Sequence, residues 1–427
     1  MGDVVSQGSF FKSGESDTSW LVAMIPLYMA IGNPGLLVTL VALANSASVA
    51  QVGAISAAGS TASFILSMVW GRLSDISSRR KIYLMFFSLM LIPLFVELSL
   101  TNGLPQITLL YTLIIALSSG VAPIAVMYTV ECCRGKNWPS EVARLNSIMS
   151  MGNLAGLFTF TLAAGYFTTQ NLFYISAAVC FTSFLLLWRL GKEPEITLER
   201  HPFSRILHDI GDLLSPKPLL QILDVRRLTF PRSLKKLSLI QLLLITAFIH
   251  WTGINIFIVG MTPLMKALGL SDSLILALNV GTGLATAASF IWIAPHAKIG
   301  PQHLKKLITA RALLVLCWAP LPIFIASPPS YVFIFPFLIL AAINICYAML
   351  WLPLSSFAIL QAPEDRKSSV VGQLMSSTAI AGAIGSAIGG LIITAYGYIV
   401  GFVIASIIMF LATQTVTKIT TQDMVDI

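Results

Sequence analysis

Between residues 71 and 81 the chain reads Gly-Arg-Leu-Ser-Asp-Ile-Ser-Ser-Arg-Arg-Lys, which puts four bases and one acid, Asp75, into eleven positions. The segments on either side are almost uncharged. This pattern suits ion pairing at the end of an apolar helix, not bond making. Asp75 needs a partner, and Arg72, Arg79, Arg80 and Lys81 supply positive charge beside it. Gly71 allows a second helix to approach closely. Ionisable residues deeper in apolar sequence are few: Glu97, His250 and Arg311. An intramembrane charge is a functional candidate by default, so His250 and Glu97 are candidate coupling residues, with His250 able to titrate near neutral pH. Arg311 lies close enough to a segment end to snorkel. The five cysteines show no metal-ligand spacing, and adjacent Cys132-Cys133 is not a zinc pattern. No nucleophile stands beside a base, and no phosphate-binding loop is present. The expectation is a protein with no catalytic residues, metal or cofactor.

The elements that hold these residues follow from composition. The 427 residues are 56% hydrophobic and 10% charged, with mean hydropathy +0.85. A soluble domain carries about 25% charged residues, so the solvent for most of this chain is a bilayer. Crossing it takes about 20 apolar residues per helix. Twelve such runs lie between residues 20 and 416, separated by short polar, Gly or Pro breaks such as Thr101-Asn102-Gly103 and Tyr396-Gly397-Tyr398. Backbone groups in lipid must be bonded internally, so the runs are helices.

With the N-terminus inside, 25 of the 26 Lys and Arg residues fall on the inner side, and only Lys266 falls outside. Cationic loops stay in the cytoplasm, so both termini are expected there. The same rule accounts for the net charge of +8 without nucleic acid. The chain divides into a cytoplasmic tail (1–19), a six-helix bundle (20–190), a cytoplasmic linker (191–236), a second six-helix bundle (237–416) and a tail (417–427). Stretches of the linker read as amphipathic helices that lie on anionic lipid headgroups.

The two bundles read as copies. Val49 to Phe64 aligns with Ile275 to Phe290 at a shift of 226 residues, and Met149-Ser150 and Ala155-Gly156 align with Met375-Ser376 and Ala381-Gly382 at the same shift. Six helices per copy keep both in one orientation, as parallel repeats about an axis along the membrane normal.

The Gly71–Arg80 stretch, set between the second and third helices on the inner side, resembles the signature loop of the major facilitator superfamily. Ile76 and Ser78 stand where the family pattern has Arg and Gly. The resemblance covers residues 20–416. It implies an all-α membrane protein of twelve helices, in two bundles related by a pseudo-two-fold axis. It also implies a secondary transporter that works by alternating access on a small molecule, as a monomer in the cell membrane, with protons a candidate coupling ion. Asp75 would then be a gate residue that meets the start of the eleventh apolar run, residues 369–395. Glu131 and Arg144, after helix 4, resemble the family's acidic-then-basic element, and Arg366 belongs to its second copy. Glu131 is expected to pair with Arg144 or Arg79.

In this family the first, fourth, seventh and tenth membrane helices, which here are residues 20–44, 105–131, 237–265 and 331–358, line the central cavity. That makes Asn33, Tyr128, Trp251, Asn255, Asn344, Tyr347 and Trp351 the candidate substrate contacts. Their amides and aromatic rings suit a neutral or amphipathic organic solute. Efflux is favoured over nutrient uptake, and a non-transporting sensor or scaffold is the alternative of another class. Helix 1 has no acid and helix 4 no arginine at membrane depth, unlike many proton-coupled exporters, and Leu157 follows Gly156 where exporters carry proline. Gly152, Gly156, Gly382, Gly385, Gly389 and Gly390 place small residues on the faces of helices 5 and 11.

Overall fold

Pro34 splits the first apolar run in two. Its ring cannot donate a backbone hydrogen bond and disfavours helix at the residue before it. One helix therefore ends at Ile31 and another starts at Pro34, with Asn33 at the N-cap position but making no side-chain capping bond. The computed structural model describes residues 19–77, 79–132, 138–192, 239–290, 300–329, 334–360 and 367–423. In chain order the α-helices are α1 (Met24–Ile31), α2 (Pro34–Ala44), α3 (Val49–Ser77), α4 (Arg80–Leu100), α5 (Leu104–Ser118), α6 (Val121–Cys132), α7 (Trp138–Ala163) and α8 (Leu172–Leu190). After the linker come α9 (Leu239–Ala267), α10 (Asp272–Ala288), α11 (Pro301–Leu316), α12 (Ile334–Leu360) and α13 (Lys367–Asp423). The linker, with its expected amphipathic segments, and Arg366 lie outside the described residues.

Among the described residues nine stretches are long and apolar enough to cross a membrane. One of them, Gly372–Lys418, holds two helices that meet at Gly397. There φ is 85°, a left-handed conformation that glycine adopts without steric cost. The two halves of α13 run antiparallel along α9: the Gly253 Cα faces Ala405 and Met409, while Gly260 faces Phe402 and Ile393. α10, with 17 residues, is shorter than the nine. α7 is less apolar than they are, because amides and small residues dilute its sequence.

Helices in lipid gain little from burying apolar surface against each other, so close backbone approach and dispersion carry the packing. The glycines supply it in equivalent places of the two bundles. A β-carbon on Gly152 would lie 2.6 Å from the Ile25 carbonyl oxygen, and one on Gly156 would overlap the Met29 carbonyl, so α7 rests on α1. A β-carbon on Gly385 would lie 2.5 Å from the Thr252 carbonyl oxygen, and one on Gly389 2.7 Å from the Ile256 Cα, so α13 rests on α9. Large apolar side chains cover the outside: Leu100, Trp188 and Leu391 are all more than 60% exposed. Such a surface fits lipid and not water.

The bundles join at the end remote from the basic loops. α3 and α13 meet there through Gly53 and Gly390: a β-carbon on the first would lie 2.9 Å from the Cα of the second, and the reverse distance is 3.0 Å. The Ala50 N–H donates to Thr394 Oγ1 at 2.9 Å across the same seam. On the other side of the axis, Leu154 of α7 packs on Gly283 of α10. Thr169 of the first bundle donates to Asp272 of the second, and Lys266 pairs with the same carboxylate at 2.5 Å. Lys266, the one base the sequence places outside, therefore helps close this end.

Gly390→Val is expected to wedge this seam apart. Spin labels on Ala44→Cys and Tyr396→Cys, in a background without other reactive cysteines, should show one distance in the parent protein. The Gly390→Val variant should add a longer-distance population in double electron–electron resonance. An unchanged distribution would show that the glycine contact does not hold the end closed.

Candidate functional site

Midway along the bundles, between the sealed end and the basic loops, lies a cavity of about 530 Å³. Both bundles line it. The first contributes Gly59, Ser60 and Ser63 of α3 and Tyr111 and Ile115 of α5. The second contributes Trp251, Ile254, Asn255 and Ile258 of α9, Arg311 of α11, Asn344 and Tyr347 of α12, and Thr378, Ala379 and Gly382 of α13. Helical spacing explains the grouping. Residues 251, 254, 255 and 258 fall on one face of α9, and 344, 347 and 351 on one face of α12.

The polar groups are partly committed. Asn255 Nδ2 donates to the Trp251 carbonyl at 2.8 Å, and Asn344 Nδ2 to the Leu340 carbonyl at 3.0 Å, each one turn back on its own helix. Each amide keeps its oxygen and a second N–H for another partner. The aromatics form one cluster. Trp251 meets Trp351 edge-on at 5.3 Å and Tyr347 at 6.3 Å, and Tyr347 stacks on Trp351 at 6.4 Å. Trp351 therefore stands behind the lining pair and supports it. Flat faces of this kind accept an aromatic or alicyclic solute.

Arg311 changes the chemistry expected of this cavity. It does not snorkel to a segment end. It stands ten residues into α11, about 15 Å along the helix axis, and is only 5% exposed. Its Nη1 lies 2.9 Å from His250 Nε2, and its Cζ lies 5.3 Å from the centre of the Tyr347 ring. The cavity wall is therefore not neutral. The sequence carried a usable signal, because three helical turns exceed the reach of an arginine side chain. Ser60, Ser63 and Thr378 carried none, since small hydroxyl residues occur throughout these helices.

The other expected contacts sit elsewhere. Asn33 donates to Asn153 Oδ1 at 2.6 Å and ties the α1–α2 break to α7. Tyr128 is fully buried beside Trp20, with ring centres 4.3 Å apart, and its hydroxyl donates to the Lys192 carbonyl at 2.8 Å. Neither lines the cavity. Glu97 is exposed on α4 and also stands apart from it.

At the basic end, Gly71 and Asp75 fall in the last turns of α3, and the Asp75 side chain lies outside the described residues. Arg79 is exposed at the start of α4. The buried base is its neighbour Arg80, which bonds Ser74 Oγ and pairs with Glu131 Oε1 at 3.1 Å. Glu131 therefore meets Arg80, and not Arg79 or Arg144 as expected. Arg144 pairs with Glu141, one turn back on α7, at 3.5 Å. Burial explains the choice: Arg80 points between α3 and α6, while Arg144 is exposed on its own helix.

The sequence profile of the Major Facilitator Superfamily matches residues 20–385, and the chain belongs to that family of transporters. No curated protein matches it by sequence. Its structure is similar to that of the nucleoside transporter NupG, at 12% identity and a TM-score of 0.72, over 95% of this chain and 99% of that one. A POT family peptide transporter in an auto-inhibited state is similar at 13% identity and a TM-score of 0.71, over 96% and 97% of the two chains. The human organic anion transporter MFSD10 is similar at 18% identity and a TM-score of 0.60, over 94% and 98%. At these identities the likeness establishes the fold.

Arg80→Gln strands the Glu131 carboxylate, and breaking such a pair from one side costs on the order of 3 kcal/mol. The melting temperature in detergent should fall by several degrees, and the double variant Arg80→Gln, Glu131→Gln should recover most of the loss. If the double variant melts no higher than the single one, the pair is not what stabilises this end.

Proposed function

We propose that this chain carries a small amphipathic organic solute across the cell membrane by alternating access, with the mid-depth cavity as its binding site. The carrying observation is the cavity itself, shared by both bundles and sealed at one end by Gly53, Gly390 and Asp272. Its volume lies inside the range of about 300–1,000 Å³ typical of small-molecule sites. A site at the interface of two parallel repeats becomes accessible from either side when the bundles rock about it. The aromatic lining favours amphipathic compounds, and on that ground efflux is preferred to nutrient uptake. The basic end is assigned to the cytoplasm, with both termini, by the distribution of Lys and Arg.

The gate at the basic end is assigned to the last turn of α3. Asp75 sits there among bases, and the N-terminus of α13, with its free N–H groups, would attract a carboxylate when that end closes. Arg80, held by Glu131, anchors the same corner.

Purified protein in liposomes should show saturable counterflow of an aromatic solute from a broad panel. Tyr347→Ala and Asn255→Ala should each lower it at least tenfold, and Asp75→Asn should lower it without changing solute binding in detergent. Running the assay with and without a pH gradient, and with solute loaded on either side, assigns coupling and direction. Absence of saturable flux for every compound would favour a sensor or scaffold instead.

A further inference from the structure

Arg311 is a buried cation that has no countercharge among the described residues. Of its donors, one reaches His250 Nε2 at 2.9 Å, and Nε is buried without a hydrogen-bond partner. His250 Nδ1 is likewise buried and unpartnered. Because the guanidinium only donates, Nε2 must accept, which places the imidazole proton on Nδ1 and leaves His250 neutral in this pair. The Tyr347 ring offers its face to Arg311 but no formal charge.

Among the described residues no carboxylate reaches Arg311. The helices that line the cavity are α3, α5, α9, α11, α12 and α13. Their only acids are Asp75, at the last turn of α3, and Asp423, at the last residue of α13. None lies at cavity depth, and among the described residues Arg311 makes no ion pair. At the repeat offset of 226 residues, His250 and Arg311 fall on Met24 and Met85. The charge is therefore a feature of the second bundle alone, outside the shared framework.

An ion in this setting is costly unless paired. A guanidinium presents a planar fork that matches a carboxylate with two parallel hydrogen bonds. Beside it stand the Tyr347 and Trp251 faces and the free amide groups of Asn255 and Asn344. We propose that the solute is a monoanionic aromatic carboxylate, with its carboxylate on Arg311 and its ring against Tyr347 and Trp251. One cation selects one negative charge, because a dianion would leave a charge unpaired in the same cavity. The assignment rests on the reading of this cavity as the transport site.

The test uses the full chain in detergent and isothermal titration with matched probes: 1-naphthoate against 1-naphthamide, and indole-3-acetate against indole-3-acetamide. The parent protein should bind each carboxylate at least tenfold more tightly than its amide. Arg311→Gln should remove that preference, and its monodisperse elution and cooperative melting in detergent show that the variant is folded. Arg311→Lys should keep part of the preference. Equal affinity for carboxylate and amide, abolished for both by Tyr347→Ala, would overturn the anion assignment and leave the cavity reading intact. A carboxylate preference that survives Arg311→Gln would also overturn it. Binding of neither class would overturn the assignment together with the cavity reading.

Discussion

The structure depends on what is missing at a few backbone positions. Where Gly53 meets Gly390, a β-carbon on either residue would lie only 2.9 or 3.0 Å from the other's Cα, well inside the normal contact distance of about 3.5–4.0 Å between carbons. In lipid there is no hydrophobic force between helices to compensate for a looser fit. The contact therefore exists only because both side chains are hydrogen. The same condition holds inside each bundle, where Gly152 and Gly156 admit α1, and Gly385 and Gly389 admit α9. The cavity is the space left where this close approach stops, just past Gly382 on α13 and Gly59 on α3.

Charge acts at two depths. Near the basic end, Arg80 and Glu131 neutralise each other, with side chains 5% and 21% exposed, and Ser74 takes a further guanidinium bond. At mid-depth, Arg311 has a histidine and a ring and no acid. The first arrangement pairs opposite charges within the framework. The second is incomplete, and its geometry opens on the cavity. Low dielectric makes that difference large, so the two buried arginines have opposite meanings.

Much of the framework could be read from residues alone. The apolar runs, the break at Asn33-Pro34, the turn at Gly397 and the glycine faces all act through local rules: hydrocarbon thickness, a missing N–H, a positive φ and a missing side chain. Trp251, Asn255, Asn344 and Tyr347 were named as candidates only through the family resemblance, which implies that the helices carrying them line the cavity. Asn33 and Tyr128 are residues of the same polar and aromatic kinds, yet Asn153 and the Lys192 carbonyl take up their polar groups. No local pattern separates an amide that meets a solute from one that meets a neighbouring helix.

By itself, then, the sequence determined the solvent, the helices, their repeat and the side that carries the bases. Each of these follows from the kind and order of residues along one segment. Tertiary structure alone decided the partners: Arg80 and not Arg79 for Glu131, Asp272 between Thr169 and Lys266, and His250 beside Arg311 in the cavity wall. A partner depends on the rotation and depth of two helices at once, and residues 61 apart in sequence, as His250 and Arg311 are, share no local signal of either.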